Sequence, residues 1–304
     1  MLSEIKEMPA KAKYFLEHSP SYTLPFSVPY LGMGSSYFAP LAFKLMGIDI
    51  HPEIASEFYN YLHTGAKLPN GVLLSQSGKS SEVLWCSNLF EKFTAISNNM
   101  DSPLCKFPSL AGKIDLLAGE EKYSSSKTYI NTLLALFRGF DIEVSEAVSL
   151  LAEKEKQYEE QGKQMSNMVF ELLQEGDVTG LYITGSGPNI GTAMQAGLIL
   201  SESTKLNFTG LPLAQYDHGP KETAKNSIVI NIVAQGRAYD RTQKLAETIK
   251  AAGANVLTVE EKEVIENKSI INNIVPFNYM AYYLSEKLNI GDTFIVGGKV
   301  TEVS

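Results

Sequence analysis

Short apolar runs that end in glycine or serine, each followed by a stretch with helical spacing, recur along the chain. SVPYLGMGSS, NGVLLSQSGKS and FTAISNN do so early, and TGLYITGSGPN, SIVINIVAQG and ANVLTVEE do so after residue 177. Continuous apolar runs bounded by turn residues and alternating with helices predict buried strands of a parallel α/β layer. The pattern is seen twice. Between the two sets, residues 141–177 place apolar residues at every third or fourth position and charges elsewhere, which predicts one or two connecting helices. LGMGSSYFAPLAFKLMG and ITGSGPNIGTAMQAGLILSE both run from strand through a glycine turn into an apolar helix, a weak internal duplication. PFNYMAYYLSEKLNIGD predicts a closing helix, and FIVGGKVTEVS remains as a tail. The expected organisation is a first α/β domain over 1–150, a second over 151–290 that includes the connecting helix, and a tail over 291–304.

Composition narrows the possible partners. The chain has 304 residues, 44% hydrophobic and 20% charged, which is globular material for two domains. A net charge of -8, with Arg138, Arg237 and Arg241 as its three arginines, excludes the basic stripe that a nucleic-acid surface needs. A small molecule is the better partner. No window of about 18 apolar residues is present, and the first twenty residues are amphipathic without an apolar signal core, so no membrane contact and a soluble, cytoplasmic protein are expected. Cys86 and Cys105 lack CxxC spacing and read as core thiols. His18, His51 and His63 have no paired ligands at metal spacing, so neither a metal nor a cofactor is assigned.

Three turns concentrate hydroxyls where a strand passes into a helix: Gly34-Ser35-Ser36, the stretch Ser75 to Ser80, and Ser124-Ser125-Ser126-Lys127. Main-chain N–H groups at such a turn are unpaired and face outward, and an anion fits there. Serine is equally a preferred N-cap and turn former, so each turn taken singly also reads as local structure. GxGxxG is absent from the first turn, GSGPNIG resembles it only loosely, and Gly78-Lys79-Ser80 lacks the upstream glycine of a Walker A loop. Two further residues have catalytic chemistry. Glu202, in GLILSESTK, ends an apolar helical run, where partial burial would raise a carboxyl towards a useful base; the bland reading is a solvated helix-end glutamate. His218, in QYDHGPKET, precedes Gly-Pro on a rigid turn and by itself reads equally as structural.

LSQSGKSSEVL resembles the SQSGET signature of the sugar isomerase (SIS) family, GMGSSYFAPLA resembles its GTSYxA turn, and AGEEKYSSSKTY resembles AGPEIGVASTKAF. In order and pattern these cover nearly all of the chain and are similar to the isomerase half of glucosamine-6-phosphate synthases and to stand-alone glucosamine-6-phosphate deaminases. The resemblance implies an α/β fold of two tandem SIS-type doubly wound parallel-sheet domains with a short C-terminal tail. It implies phosphosugar ligands at Ser35, Ser36, Ser75, Gln76, Ser77 and Ser80, with Ser125 nearby. Glu202 lies sixteen residues before the histidine of HGP, as in the family, and Lys299 begins KVTEVS where the family has its Schiff-base lysine. The implied roles are Glu202 as proton-shuttling base, His218 as ring-opening acid/base, and Lys299 as the amine that meets the open-chain carbonyl.

The activity implied is conversion of glucosamine 6-phosphate to fructose 6-phosphate and ammonia, in either direction. A fructosamine-6-phosphate deglycase, a plain phosphosugar isomerase, or a non-catalytic sugar-phosphate sensor are the other readings, and a base with an imine-forming amine argues against the last. A homodimer with the site at its interface is also implied, with the HGP histidine from the partner chain. Departures surround the sugar: Ala214-Gln215-Tyr216-Asp217 stands where the synthase has Gly-Glu-x-Lys, and Lys79 stands where the signature has an acid. No N-terminal nucleophilic cysteine begins the chain, so glutamine is not expected to be the nitrogen donor in this polypeptide.

Overall fold

A computed structural model describes residues 1–291 and 294–296. The chain opens with α1 (Leu2–Lys6) and α2 (Met8–His18). It continues through β1 (Pro29–Gly32), α3 (Ser35–Leu45), β2 (His51–Ile54), α4 (Ala55–Glu57), β3 (Val72–Leu74), α5 (Ser81–Cys86), β4 (Phe93–Ser97), β5 (Leu110–Asp115) and α6 (Lys127–Gly139). Helices α7 (Ser145–Glu153) and α8 (Glu155–Glu175) follow. Then come β6 (Leu181–Gly185), α9 (Asn189–Thr204), β7 (Phe208–Pro212), α10 (Leu213–Asp217), β8 (Ile228–Val233), α11 (Tyr239–Ala251), β9 (Asn255–Glu260), α12 (Glu266–Asn273) and α13 (Val275–Lys287).

Contacts divide this chain into two compact units. The first holds Ala10–Glu121 with Lys127–Ser145; the second holds Met1–Pro9, Lys122–Ser126 and the chain from Glu146 through α13. Each unit has one parallel sheet. In the first the order is β2-β1-β3-β4-β5, and in the second β7-β6-β8-β9. In both, the leading strand connects to a neighbour on one side and the chain then crosses to the other side. Loops following β1 and β3 therefore flank one switch point, and loops following β6 and β8 flank another, where open α/β sheets bind their ligands.

Helices cover both faces of each sheet, so the central strands are apolar on both sides. In the first unit Leu31 and Leu73 face Val83 and Cys86 of α5, while Phe43 of α3 and Phe137 of α6 meet edge-on at 4.7 Å on the opposite layer. In the second, Val229 packs with Leu213, Tyr216, Leu245 and Ile249 from α10 and α11. All six residues of β8 and all three of β3 are buried, which is why their sequences read as unbroken apolar runs.

Three strands escape the sequence pattern: β2, β5 and β7. All are sheet edges with only one or no buried residue, and HPEI and FTGLP contain proline, so neither a run nor an alternation marks them. The 141–177 segment forms two helices, α7 and α8.

A shared device marks the internal duplication. Gly32 ends β1, and a Cβ there would fall 2.4 Å from the Ser36 carbonyl oxygen; Gly185 ends β6, and a Cβ there would fall 2.2 Å from that of Asn189. In each half, strand and helix approach so closely at the turn that only glycine fits.

Candidate functional site

The first unit brings six of the expected residues to one sheet edge. Gly34, in the left-handed region at φ 51°, turns the chain from β1 into α3, whose first two residues are Ser35 and Ser36, both half-buried. On the neighbouring strand β3, Ser75 to Ser80 form a tight loop. Ser75 Oγ lies 3.0 Å from Ser80 Oγ, the Gly78 N–H donates to the Ser75 carbonyl at 3.0 Å, and the Lys79 N–H donates to Ser77 Oγ at 3.2 Å. Tyr30 and Leu31 of β1 pair with Val72 and Leu73 of β3, so both loops leave the same side of the switch point.

Residues beyond β4 hold the Ser75 loop from behind. Ser97 Oγ–H and the Asn98 N–H both donate to the Gln76 carbonyl, at 3.2 and 3.0 Å. Gly78, at φ +65°, would with a side chain meet Ser102 Oγ at 1.9 Å. The hydroxyls of Ser81 and Ser102 are buried and have no hydrogen-bond partner among the described residues. Lys79 itself is exposed. This loop thus presents small hydroxyls and main-chain donors at a strand end, an arrangement suited to a tetrahedral oxyanion.

The second unit holds Ser125, Glu202 and His218. Ser125 is half-buried in the turn before α6, and its carbonyl accepts from Gln195 Nε2 at 3.3 Å and from Asn278 Nδ2 at 3.4 Å. Ser124 Oγ lies 3.1 Å from Ser203 Oγ. Glu202 precedes Ser203 near the C-terminal end of α9; it is half-buried, and Lys205 Nζ donates to its main-chain oxygen at 2.5 Å. A pocket of about 150 Å³ opens beside Ser203, lined also by Met1, Tyr123, Tyr282, Ser285, Glu286, Ile290 and Gly291.

His218 caps α10 and is exposed. Its two preceding residues are anchored. Tyr216 is fully buried against Tyr182, ring centroids 5.2 Å apart, and burial, with the nearby Tyr182, pushes its phenol up to about 12. Asp217 accepts from Lys221 at 3.0 Å and from Arg241 at 3.1 Å, and these hydrogen bonds hold its carboxyl below the usual range. Lys299 lies outside the described residues.

A separate cavity in the first unit holds none of these groups. About 730 Å³ in volume, it is lined by Leu16, Tyr22, Phe26, Arg138 and residues 139–145 of the first unit. Phe26 precedes β1 whereas the serine loops follow β1 and β3, so this cavity lies at the opposite end of parallel strands from the hydroxyls. Cys86 and Cys105 are buried free thiols, and burial, reinforced by Glu82, pushes Cys86 up to about 12. Among the described residues no cluster of three His, Cys, Asp or Glu side chains could hold a metal, and no helix is long and apolar enough to cross a membrane.

Four contributors to this geometry had escaped the sequence reading: Ser97, Ser102, Gln195 and Asn278. Ser97 ends an apolar strand run, and Gln195 interrupts the small and aliphatic residues of AMQAGLILSE; those were the available signals.

The two parallel sheets with serine turns at a switch point carry the fold of SIS proteins. No protein-family model matches the sequence. The chain is 25% identical over 301 residues to the glutamine-fructose-6-phosphate aminotransferase of Wigglesworthia glossinidia brevipalpis, covering 84% of this chain and 48% of that relative. It spans about half the length of the curated relatives it matches. The C-terminal domain of glucosamine-fructose-6-phosphate aminotransferase from Francisella tularensis superimposes with a TM-score of 0.76 at 16% identity, covering 95% of this chain and 96% of that one. Glucosamine-6-phosphate deaminase from Thermotoga maritima superimposes with a TM-score of 0.73 at 17% identity, covering 96% and 95%. The sequence relatives are thus isomerizing aminotransferases matched over about half their length, and at these identities the likeness to the two solved structures shows the fold.

Proposed function

We propose that this chain is a phosphosugar enzyme that isomerises and deaminates glucosamine 6-phosphate to fructose 6-phosphate and ammonia. The observation that carries the reading is the Ser75–Ser80 loop beside Ser35 and Ser36 at the switch point of the first sheet. Hydroxyls and main-chain donors suit a phosphate that must bind and leave, since they stabilise its charge without a fixed counterion.

In this reading Ser35, Ser36, Ser75, Gln76, Ser77, Ser80 and Ser125 hold the sugar phosphate. His218 moves the proton that opens the pyranose ring. Glu202 takes the C2 proton of the open chain, giving an enolamine, and returns it to C1; this leaves a C2 imine. The Lys299 amine adds to that carbon and ammonia departs, and water then hydrolyses the Lys299 ketimine to the ketose, so one water is consumed for each ammonia released; the reverse direction retraces the same steps. The protein acts in the cytoplasm as a homodimer with its site at the interface.

The test is to incubate the purified chain with glucosamine 6-phosphate and, separately, with a fructosamine 6-phosphate, and to assay ammonia and the sugar phosphate formed. Ammonia and fructose 6-phosphate from the first substrate, lost in Glu202→Gln, are expected. Turnover of the second substrate alone would replace this reading by a deglycase. Binding of both without turnover would replace it by a sugar-phosphate sensor.

A further inference from the structure

We propose that Gln195 and Asn278 are positioning residues for the sugar phosphate, acting through the main chain of Ser125. The inference rests on the reading of Ser125 as a ligand.

The turn Ser124-Ser125-Ser126 is short, and its expected sugar-binding hydroxyl sits on a segment without regular structure. Three side chains from two helices fix it. Gln195 of α9 and Asn278 of α13 both donate to the Ser125 carbonyl, and Ser203 of α9 pairs with Ser124. Gln195 and Asn278 are 0% and 1% exposed. Each amide uses an N–H on Ser125, while its own oxygen is buried with no hydrogen-bond partner among the described residues.

Such an arrangement is unfavourable for stability alone. A buried acceptor without a donor keeps its full desolvation cost, and an apolar side chain of the same size would avoid it. Two amides with the same defect, converging on one carbonyl oxygen, point to precision at that carbonyl as their role. A carbonyl held by two N–H donors fixes the peptide plane and with it the direction of the adjoining Cα–Cβ bond. The clamp also shares a helix with the proposed base. Gln195 and Glu202 are seven residues apart on α9, two helical turns along one face. One rigid helix thereby sets the position of both a sugar ligand and a proton-transfer group.

The experiment is a double-mutant cycle on the full chain, titrated calorimetrically with glucosamine 6-phosphate. The proteins are wild type, Gln195→Leu, Ser125→Ala and the double variant, with Asn278→Leu as an independent second arm. Leucine keeps the volume and removes the donor. Gln195→Leu is expected to weaken binding about tenfold, within the range for residues coupled in one network, without lowering the urea midpoint. On the Ser125→Ala background the same change should cause no further loss.

Unchanged affinity in Gln195→Leu, or an equal loss with and without the Ser125 hydroxyl, overturns the inference, since a merely structural role would be additive. If Gln195→Leu does not fold, the Asn278→Leu cycle is read by the same criterion. If wild type fails to bind, or Ser125→Ala binds like wild type, the ligand reading of Ser125 fails and this inference with it. That result is distinct from a weakened Ser125→Ala beside an unaffected Gln195→Leu, which sinks the clamp alone.

Discussion

The two switch points have the same backbone and opposite polar logic. Each strand ends in a glycine pressed against the helix that follows, yet the groups around the two turns are satisfied in different ways. At the second, Asn189 donates to Ser269 Oγ at 3.0 Å and accepts from Asn273 at 3.2 Å, and Asn273 accepts the Glu261 N–H at 2.8 Å. Glu261 in turn binds Lys154 at 2.6 Å and the Tyr158 hydroxyl at 2.6 Å. Glu266 adds its carboxylate close to Gly187 and Gly236, within 3.3 and 2.2 Å of where Cβ atoms would stand. At the first switch point the polar groups are largely serines, and the buried hydroxyls of Ser81 and Ser102 have no partner among the described residues; at the second, Thr192 Oγ1 and Asn231 Nδ2 are left likewise. The difference lies in the chain of linked amides and charges from Asn189 to Lys154, which ties the second turn into the fold, whereas the first is built of small hydroxyls.

That comparison breaks most visibly at Lys154. It is 15% exposed and Glu261 4% exposed, so Lys154→Met leaves a buried carboxylate without its cation; a loss of about 3–5 kcal/mol in urea unfolding is expected, with sugar-phosphate affinity unchanged. Ser75→Ala with Ser80→Ala should behave in the opposite sense. Each hydroxyl contributes roughly 1.5 kcal/mol to a charged ligand, so titration should show about a hundredfold weaker binding at an unchanged urea midpoint. Asn189→Ala should cost about 1–3 kcal/mol of stability by stranding Asn273 and Ser269, and leave binding intact; a binding loss larger than the stability loss would contradict the division drawn here.

Acid should read the second network alone. Burial pushes the Glu261 carboxyl up, but hydrogen bonds from Lys154, Tyr158 and the Glu263 N–H, with the charge of Lys154, outweigh it and hold it below the usual range. A lowered folded value means stability that is present above the unfolded value of about 4.3 and lost as pH falls through the folded one. Wild type should therefore lose urea stability below about pH 4 more steeply than Lys154→Met. Glu266→Gln is the mildest change, with stability expected within about 0.5 kcal/mol of wild type and a single phosphate-binding site by calorimetry. A second site appearing in that variant would show that one carboxylate had been masking a second cradle.

The parallel layers were legible because their central strands are buried on both faces; VLL and IVINIV have no polar position to obscure them. Edge strands β2, β5 and β7 were not, since a strand paired on one side tolerates proline, glycine and charge. The serine turns were legible as composition, and the structure places Ser35, Ser36 and Ser75 to Ser80 after two neighbouring strands. Ser97, Ser102, Gln195 and Asn278 were not, because in sequence each is an ordinary polar residue in a strand, helix or loop.

By itself the sequence determined the alternation of strand and helix and the loops in which hydroxyls cluster. In a parallel sheet every strand end is followed directly by its own loop, so local order along the chain already assigns those residues to the C-terminal edge of the sheet. Tertiary structure decided which hydroxyls are satisfied, since a partner such as Asn273 for Asn189 or Asn278 for Ser125 lies 84 or 153 residues away. It also decided that Lys122–Ser126 packs with the second unit although the chain on both sides belongs to the first. Hydrogen-bond satisfaction is a property of space rather than of spacing, and no periodicity along a chain encodes it.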